Sequence, residues 1–326
     1  MSEFDLIKRL QNLVNPGNEG ASRPCVLGIG DDCAVLEIPA NRQLVVTCDT
    51  LVEGVHFAAG ADALDLGHKA LAVNLSDLAA MGAEPGWFFL ALTLPQPDTN
   101  WLDSFSDGLG SLARAAGITL AGGDMTSGPL SITITAMGLV EAGQALARAG
   151  ARDGDLVVVS GCLGDAAHAL ELLAAGGSPR DDCRAALDRP EPRLQLGRQL
   201  SGLATSCIDL SDGLAADLGH ILDASGVGAQ IRLDRLPASA KLKTLTDKAR
   251  WNLQIAGGDD YELCFTIPAS RENELDRLSH QGHCPLTVIG KIIASGGLSW
   301  TAPDGQTFMP SRQAYDHFPE QKRGEP

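Results

Sequence analysis

The chain has 326 residues, enough for two domains of ordinary size with a core in each. Hydrophobic residues make up 44%, which excludes a disordered class, and aromatics only 4%, so the cores are expected to be built from Ala, Leu, Val and Ile. A net charge of −16, from 41 acidic and 25 basic residues, repels nucleic acid and anionic lipid and argues against both as partners.

Residues 1–10 read as an amphipathic helix and not as a signal peptide. A glycine turn, Gly28-Ile29-Gly30-Asp31-Asp32, precedes an apolar strand over 44–47 that ends in Asp49. The spacing of apolar residues predicts a helix over 62–81, with Asp77 inside it, then a strand over 87–94. That strand holds the longest apolar run, well short of the roughly 20 residues that span a bilayer. A helix over 101–116, the word Gly122-Gly123-Asp124 and a strand over 131–140 follow. The stretch 143–155 is rich in Ala, Gly and Arg and divides the chain into domains 1–147 and 148–326.

In the second domain, strands are expected over 156–160, 230–233, 262–267 and 286–289, and helices over 165–175, 212–225 and 271–281. The alternation argues an α/β or α+β architecture. Eight cysteines without a CxxC pair read as reduced thiols in a cytoplasmic protein.

Aspartate recurs beside glycine or within apolar strands, around Asp32, Asp49, Asp77, Asp124 and Asp209-Leu210-Ser211-Asp212. An isolated Gly-Asp is more often a turn or a helix cap than a ligand. Capping does not account for Asp49, Asp77 and Asp209, which sit in apolar strand or helix contexts where an unpaired carboxylate is costly. A shared cation does account for them: magnesium binds through a few carboxylates together with substrate phosphates. Such a set suits phosphoryl transfer, which asks of a protein mainly positioning and charge neutralisation. Arg148 is a candidate for the phosphates, and a solvated linker arginine is an equal reading from spacing alone. Asp77 to Asp124 and Asp212 to Asp259 are both 47 residues apart, a weak sign that the halves share a plan. GxxxxGK[ST], HExxH, GxSxG and HRD are absent, and Cys33 occupies the third glycine position of a GxGxxG.

Longer words are more specific. Gly28-Ile29-Gly30-Asp31-Asp32-Cys33-Ala34, the run Asp49 to Phe57, the run Lys69 to Ala83, Ile208 to Leu214, Gly257-Gly258-Asp259-Asp260-Tyr261-Glu262-Leu263 and Tyr315-Asp316-His317-Phe318 closely resemble the thiamine-monophosphate kinase family, in the expected order over about residues 4 to 318. The resemblance implies ATP-dependent phosphorylation of thiamine monophosphate to thiamine diphosphate, the last step in making that compound, by direct in-line transfer with several Mg²⁺ ions. It implies the two-domain fold of aminoimidazole ribonucleotide synthetase, with N-terminal strands in a dimer-spanning β-barrel, a C-terminal α/β domain and the active site between them. It implies a homodimer. Carried over by position, Asp32, Thr47, Cys48, Asp49, Asp77, Asp124, Asp209 and Asp212 would hold metal. Gly123, Asp124, Arg148 and Ser211 would contact ATP, and His56, Asp259 and Tyr315 would line the thiamine phosphate pocket.

The sequence departs from the family's pattern at three places. Cys48 stands where Thr is usual, which is harmless if the main-chain carbonyl is the ligand, since magnesium avoids thiols. Met125 replaces a Thr near the nucleotide, and Asp259 replaces Glu with a shorter reach. Two other readings compete: another ATP-dependent synthetase of the same superfamily, although residues 1–24 hold no Cys and only Lys8, or an acidic metal-binding scaffold without catalysis.

Overall fold

A computed structural model describes residues 3–15, 25–178 and 181–311. After helix α1 (Glu3–Val14), the N-terminal unit runs β1 (Arg42–Val52), α2 (Ala63–Ala80), β2 (Glu84–Leu94), α3 (Thr99–Ala116), β3 (Thr119–Ser127) and β4 (Ser131–Glu141). Its four strands lie in the order β1-β4-β2-β3, with β2 and β3 parallel and the other pairs antiparallel. Side chains alternate across the sheet. Val45 and Leu51 of β1, Ile132 and Ile134 of β4 and Phe88 and Leu90 of β2 enter the core beneath α2 and α3. Leu44 and Val46 point the other way and are 41% and 53% exposed.

Helix α2 starts where the Asp62 carboxylate accepts the N–H groups of Leu64 and Asp65, at 2.9 and 3.2 Å. It crosses α3 at backbone contact: a Cβ at Gly67 would fall 2.1 Å from the Phe105 carbonyl oxygen, and one at Gly108 1.9 Å from that of Leu64. Only glycine at both positions lets the two helices approach this closely. The far end of α2 leaves its own unit, because Ala79 and Ala80 pack with Leu196, Leu200, Cys207 and Phe265 in the core of the second unit.

That unit comprises β5 (Leu156–Ser160), α4 (Asp165–Ala174), α5 (Asp181–Asp188), α6 (Leu194–Leu200), β6 (Ser206–Asp209), α7 (Leu214–Ser225), β7 (Gly228–Arg232), α8 (Asp247–Ala256), β8 (Leu263–Ile267), α9 (Glu274–Gly282), β9 (Leu286–Ile293), β10 (Leu298–Thr301) and β11 (Thr307–Phe308). The strands form one seven-stranded mixed sheet ordered β11-β10-β7-β9-β5-β8-β6. Strand β6 is its edge, and Asp209 at the end of β6 comes to lie against α2 through Ser76.

Two expectations change. The strand expected over 44–47 spans Arg42–Val52, held along its whole length by β4, so Asp49 lies within it and not at its end. The Gly122-Gly123-Asp124 turn belongs to β3, a strand paired to β2 across a register shift at Phe88/Phe89.

Candidate active site

Three carboxylates from three elements meet at the seam of the two units. Asp49 comes from the inner face of β1, Asp77 from α2 and Asp209 from the end of β6. Period-two alternation turns Thr47 and Asp49 to the same side, and the Thr47 hydroxyl donates to Asp77. The Ser76 hydroxyl donates to Asp209 at 2.7 Å, and the Asp49 N–H donates to the side-chain oxygen of Asn74 at 3.3 Å. Residues 74, 76 and 77 of α2 therefore reach β1 on one side and β6 on the other.

The electrostatics follow from burial. Desolvation, and next the charge of Asp77, pushes the Asp49 carboxyl well above the ordinary carboxylate range. Asp209 is raised by the same two causes in the same order. Asp77 is raised by burial, against the Thr47 hydroxyl, Asp49 and the positive charge of Arg148. Beside them Asp217, on α7, accepts the N–H groups of Asp212 and Gly213, each at 3.1 Å, and burial followed by repulsion from Asp212 lifts it to about 7. Arg148 also lowers Asp217, so the one sequence-picked arginine lies within electrostatic reach of this acidic group.

A cavity of about 1150 Å³ opens onto these residues, lined in part by Asp49, Asp77, Asp209, Ser211, Asp212 and Asp259. Phe57, Leu66, Leu170 and Leu173 add apolar surface to its walls. His56 lines it too, with its Nδ1 accepting the Val52 N–H at 3.0 Å, which puts the ring proton of the neutral form on Nε2. The strap 257–261 closes one side. Its Asp259 and Tyr261 N–H groups donate to the carbonyls of Ser211 and Leu210, at 2.9 and 2.8 Å. A Cβ on Gly258 would stand 2.4 Å from the Ser211 oxygen.

The remaining candidates lie apart. Cys48 borders the cavity, but its side chain is on the exposed face of the sheet, where its sulfur accepts the Thr135 hydroxyl at 3.3 Å. Asp32, Gly123 and Asp124 are exposed and do not line the cavity. Tyr315 lies outside the described residues. Among the described residues no three His, Cys, Asp or Glu side chains form a ready-made metal cage. Lys69, Ser76, Asp217 and Tyr261 are polar residues of this site that reading the sequence did not single out. Lys69 and Asp217 carried a signal, a charge on the buried side of a helix.

Comparison with known proteins decides the family. Residues 30–140 match the N-terminal domain, and residues 152–302 the C-terminal domain, of AIR synthase related proteins. A thiamine-monophosphate kinase of Haemophilus influenzae is 44% identical over 99% of both chains. The chain belongs to the thiamine-monophosphate kinase family. Within that family, the crystal structure of the Stenotrophomonas maltophilia kinase superposes with a TM-score of 0.85 at 45% identity, over 94% of this chain and 98% of that one. A structure of AaThiL complexed with AMPPCP and TMP gives 0.76 at 30% identity, over 97% of each chain. The chain thus has the two-domain fold of the AIR synthase-like kinases, with its acidic site at the seam between the domains.

Proposed function

We propose that this chain phosphorylates thiamine monophosphate with ATP, releasing thiamine diphosphate and ADP, in the cavity at the seam of its two units. The observation that carries the reading is the meeting of Asp49, Asp77 and Asp209 from three elements in one cavity, in a chain whose relative binds AMPPCP and TMP. An acceptor phosphate oxygen attacks the γ-phosphorus in line, the bond from that phosphorus to the β-bridging oxygen breaks, and ADP leaves with the electron pair.

The donor set fits Mg²⁺: it consists of carboxylate and hydroxyl oxygens, and a hard cation that keeps waters and phosphate oxygens does not need a complete protein cage. Asp49, Asp77 and Asp209 would hold it, with Thr47, Asp212 and the main chain at Cys48 beside them and Asp32 and Asp124 serving the nucleotide side. Bound there, the cation neutralises phosphate charge that the carboxylates alone would repel. Arg148 and Ser211 orient the nucleotide phosphates. His56, Asp259 and Tyr315 are assigned to the acceptor, Asp259 complementing its cationic ring. The active form is a cytoplasmic homodimer.

A coupled assay of ADP release tests the reading, with thiamine monophosphate set against free thiamine and other phosphorylated acceptors. Turnover is expected with thiamine monophosphate and to need Mg²⁺. Equal turnover of an unrelated phosphorylated acceptor, or undiminished turnover in excess chelator, would refute it.

A further inference from the structure

Among the described residues, nine carboxylates line the cavity against two permanent cations, Lys69 and Arg184. Arg184 is engaged by Asp188 on its own helix. Lys69 differs: its side chain is 7% exposed, on the cavity side of α2, and its ammonium donates to Asp259 at 2.9 Å. A buried ammonium is costly without a charged partner, and Asp259 provides one across the seam between the units. An ammonium carries three N–H donors, and this contact uses one.

The partner is itself held firmly. Asp259 also accepts the Tyr261 hydroxyl at 3.1 Å, and both residues adopt left-handed backbone, with φ of 67° and 49°. Non-glycine residues in that region carry strain that surrounding structure must impose, and such strain gathers at ligand sites. The strap that imposes it is pinned to Leu210 and Ser211, next to Asp209. Lys69 and Asp259 line the same cavity as Asp49, Asp77 and Asp209, so the pair stands on a wall that an acceptor phosphate reaches as it approaches those carboxylates.

We propose that Lys69 is a specificity-determining residue of the acceptor site: with Asp259 it presents a cation beside an anion, matching an acceptor that bears an anionic phosphate and a cationic ring. This rests on the function proposed above. Asp259 faces the ring, and Lys69 takes the acceptor's phosphate into a pocket that otherwise repels it. The same ring without phosphate then gains nothing from Lys69.

The test is calorimetric binding of thiamine monophosphate and of free thiamine to the full chain, alongside steady-state kinetics, for wild type, Lys69→Met, Lys69→Gln and Lys69→Arg. Loss of a charge-assisted contact is expected to raise KM for thiamine monophosphate about tenfold or more in Lys69→Met, with KM for ATP within about twofold. The preference for thiamine monophosphate over thiamine should fall by the same factor, and Lys69→Arg should restore much of it. Lys69→Gln still donates to Asp259, and it tests the charge should the methionine variant not fold. An unchanged preference in the neutral variants overturns the proposal. So does recovery of thiamine monophosphate binding in Lys69→Met/Asp259→Asn, which would make the lysine only a counter-ion for Asp259. If wild type releases no ADP with thiamine monophosphate, the functional reading itself fails, which is a distinct result.

Discussion

Burial and the neighbouring charge of Asp77 both disfavour the ionised form of Asp49, and Asn is nearly isosteric with a protonated Asp. Asp49→Asn should therefore melt no lower than wild type in chelator at pH 8, since the carboxylate that burial and Asp77 disfavour has been neutralised. Turnover should nonetheless fall by about 100-fold or more, because a ligand for transition-state charge is gone. Thermal melting and ADP release on the same preparation check both halves. Near-normal turnover at saturating Mg²⁺ would remove Asp49 from the site. At the acceptor end, His56→Ala should raise KM for thiamine monophosphate several-fold while sparing that for ATP, as measured by varying each substrate in turn. An effect confined to ATP would reverse the assignment of that wall.

Elements decide which of these residues could be read in advance. Helix α2 was legible because Asp62 caps it and its apolar spacing persists for 18 residues, so Asp77 stood out as a carboxylate where none was needed. The rest of the site depends on long-range register. Cys48, Asp49 and Thr50 break the apolar run and read as a strand end, yet pairing with β4 carries β1 through them to Val52. Strand β3 carries two glycines, poor strand formers, at its middle and is fixed by parallel pairing to β2, which no local signal announces. Lys69 lay inside a recognised word, but its meeting with Asp259, 190 positions away, needed the fold. The strap yields its own prediction. Gly258→Ala would press a methyl group against the Ser211 carbonyl, and the strap must shift to admit it. Such overpacking typically costs about 1–3 kcal/mol. Denaturant unfolding should report that loss, and KM for thiamine monophosphate should rise with it as Asp259 moves. Unchanged stability would show that the strap yields freely.

At the scale of the whole molecule, the outer face of the N-terminal sheet leaves Leu44 and Val46 in solvent, and Val26, Leu27, Val35 and Ile38 of the preceding segment are exposed as well. The homodimer proposed above would seat a second copy there. Val46→Lys should then move the chain from dimer to monomer in light scattering at micromolar concentration, and a monomeric wild type would refute the assignment.

The same molecule carries a net charge of −16 and holds several of its carboxylates out of water. Asp217 is lifted from an ordinary value of 3.8 to about 7, and Asp49, Asp77, Asp209 and Asp260 are shifted in the same direction, burial being the first cause in each. A carboxyl whose folded value exceeds its unfolded one binds more protons when folded. Its contribution to stability is then complete below about pH 4 and is lost as the pH climbs through about 7. The exposed pairs of Asp103 with Arg9 and Asp234 with Arg232 shift the other way, but water and salt screen them. In chelator, the melting temperature should therefore be higher at pH 5.5 than at pH 8, by roughly 5 °C if the net change is a few kcal/mol. If the carboxylates at the seam hold Mg²⁺, the ion should stabilise the chain more at pH 8, where they are ionised, and so narrow the gap. A melting temperature that rises with pH in chelator would mean that these aspartates are better solvated than their burial implies.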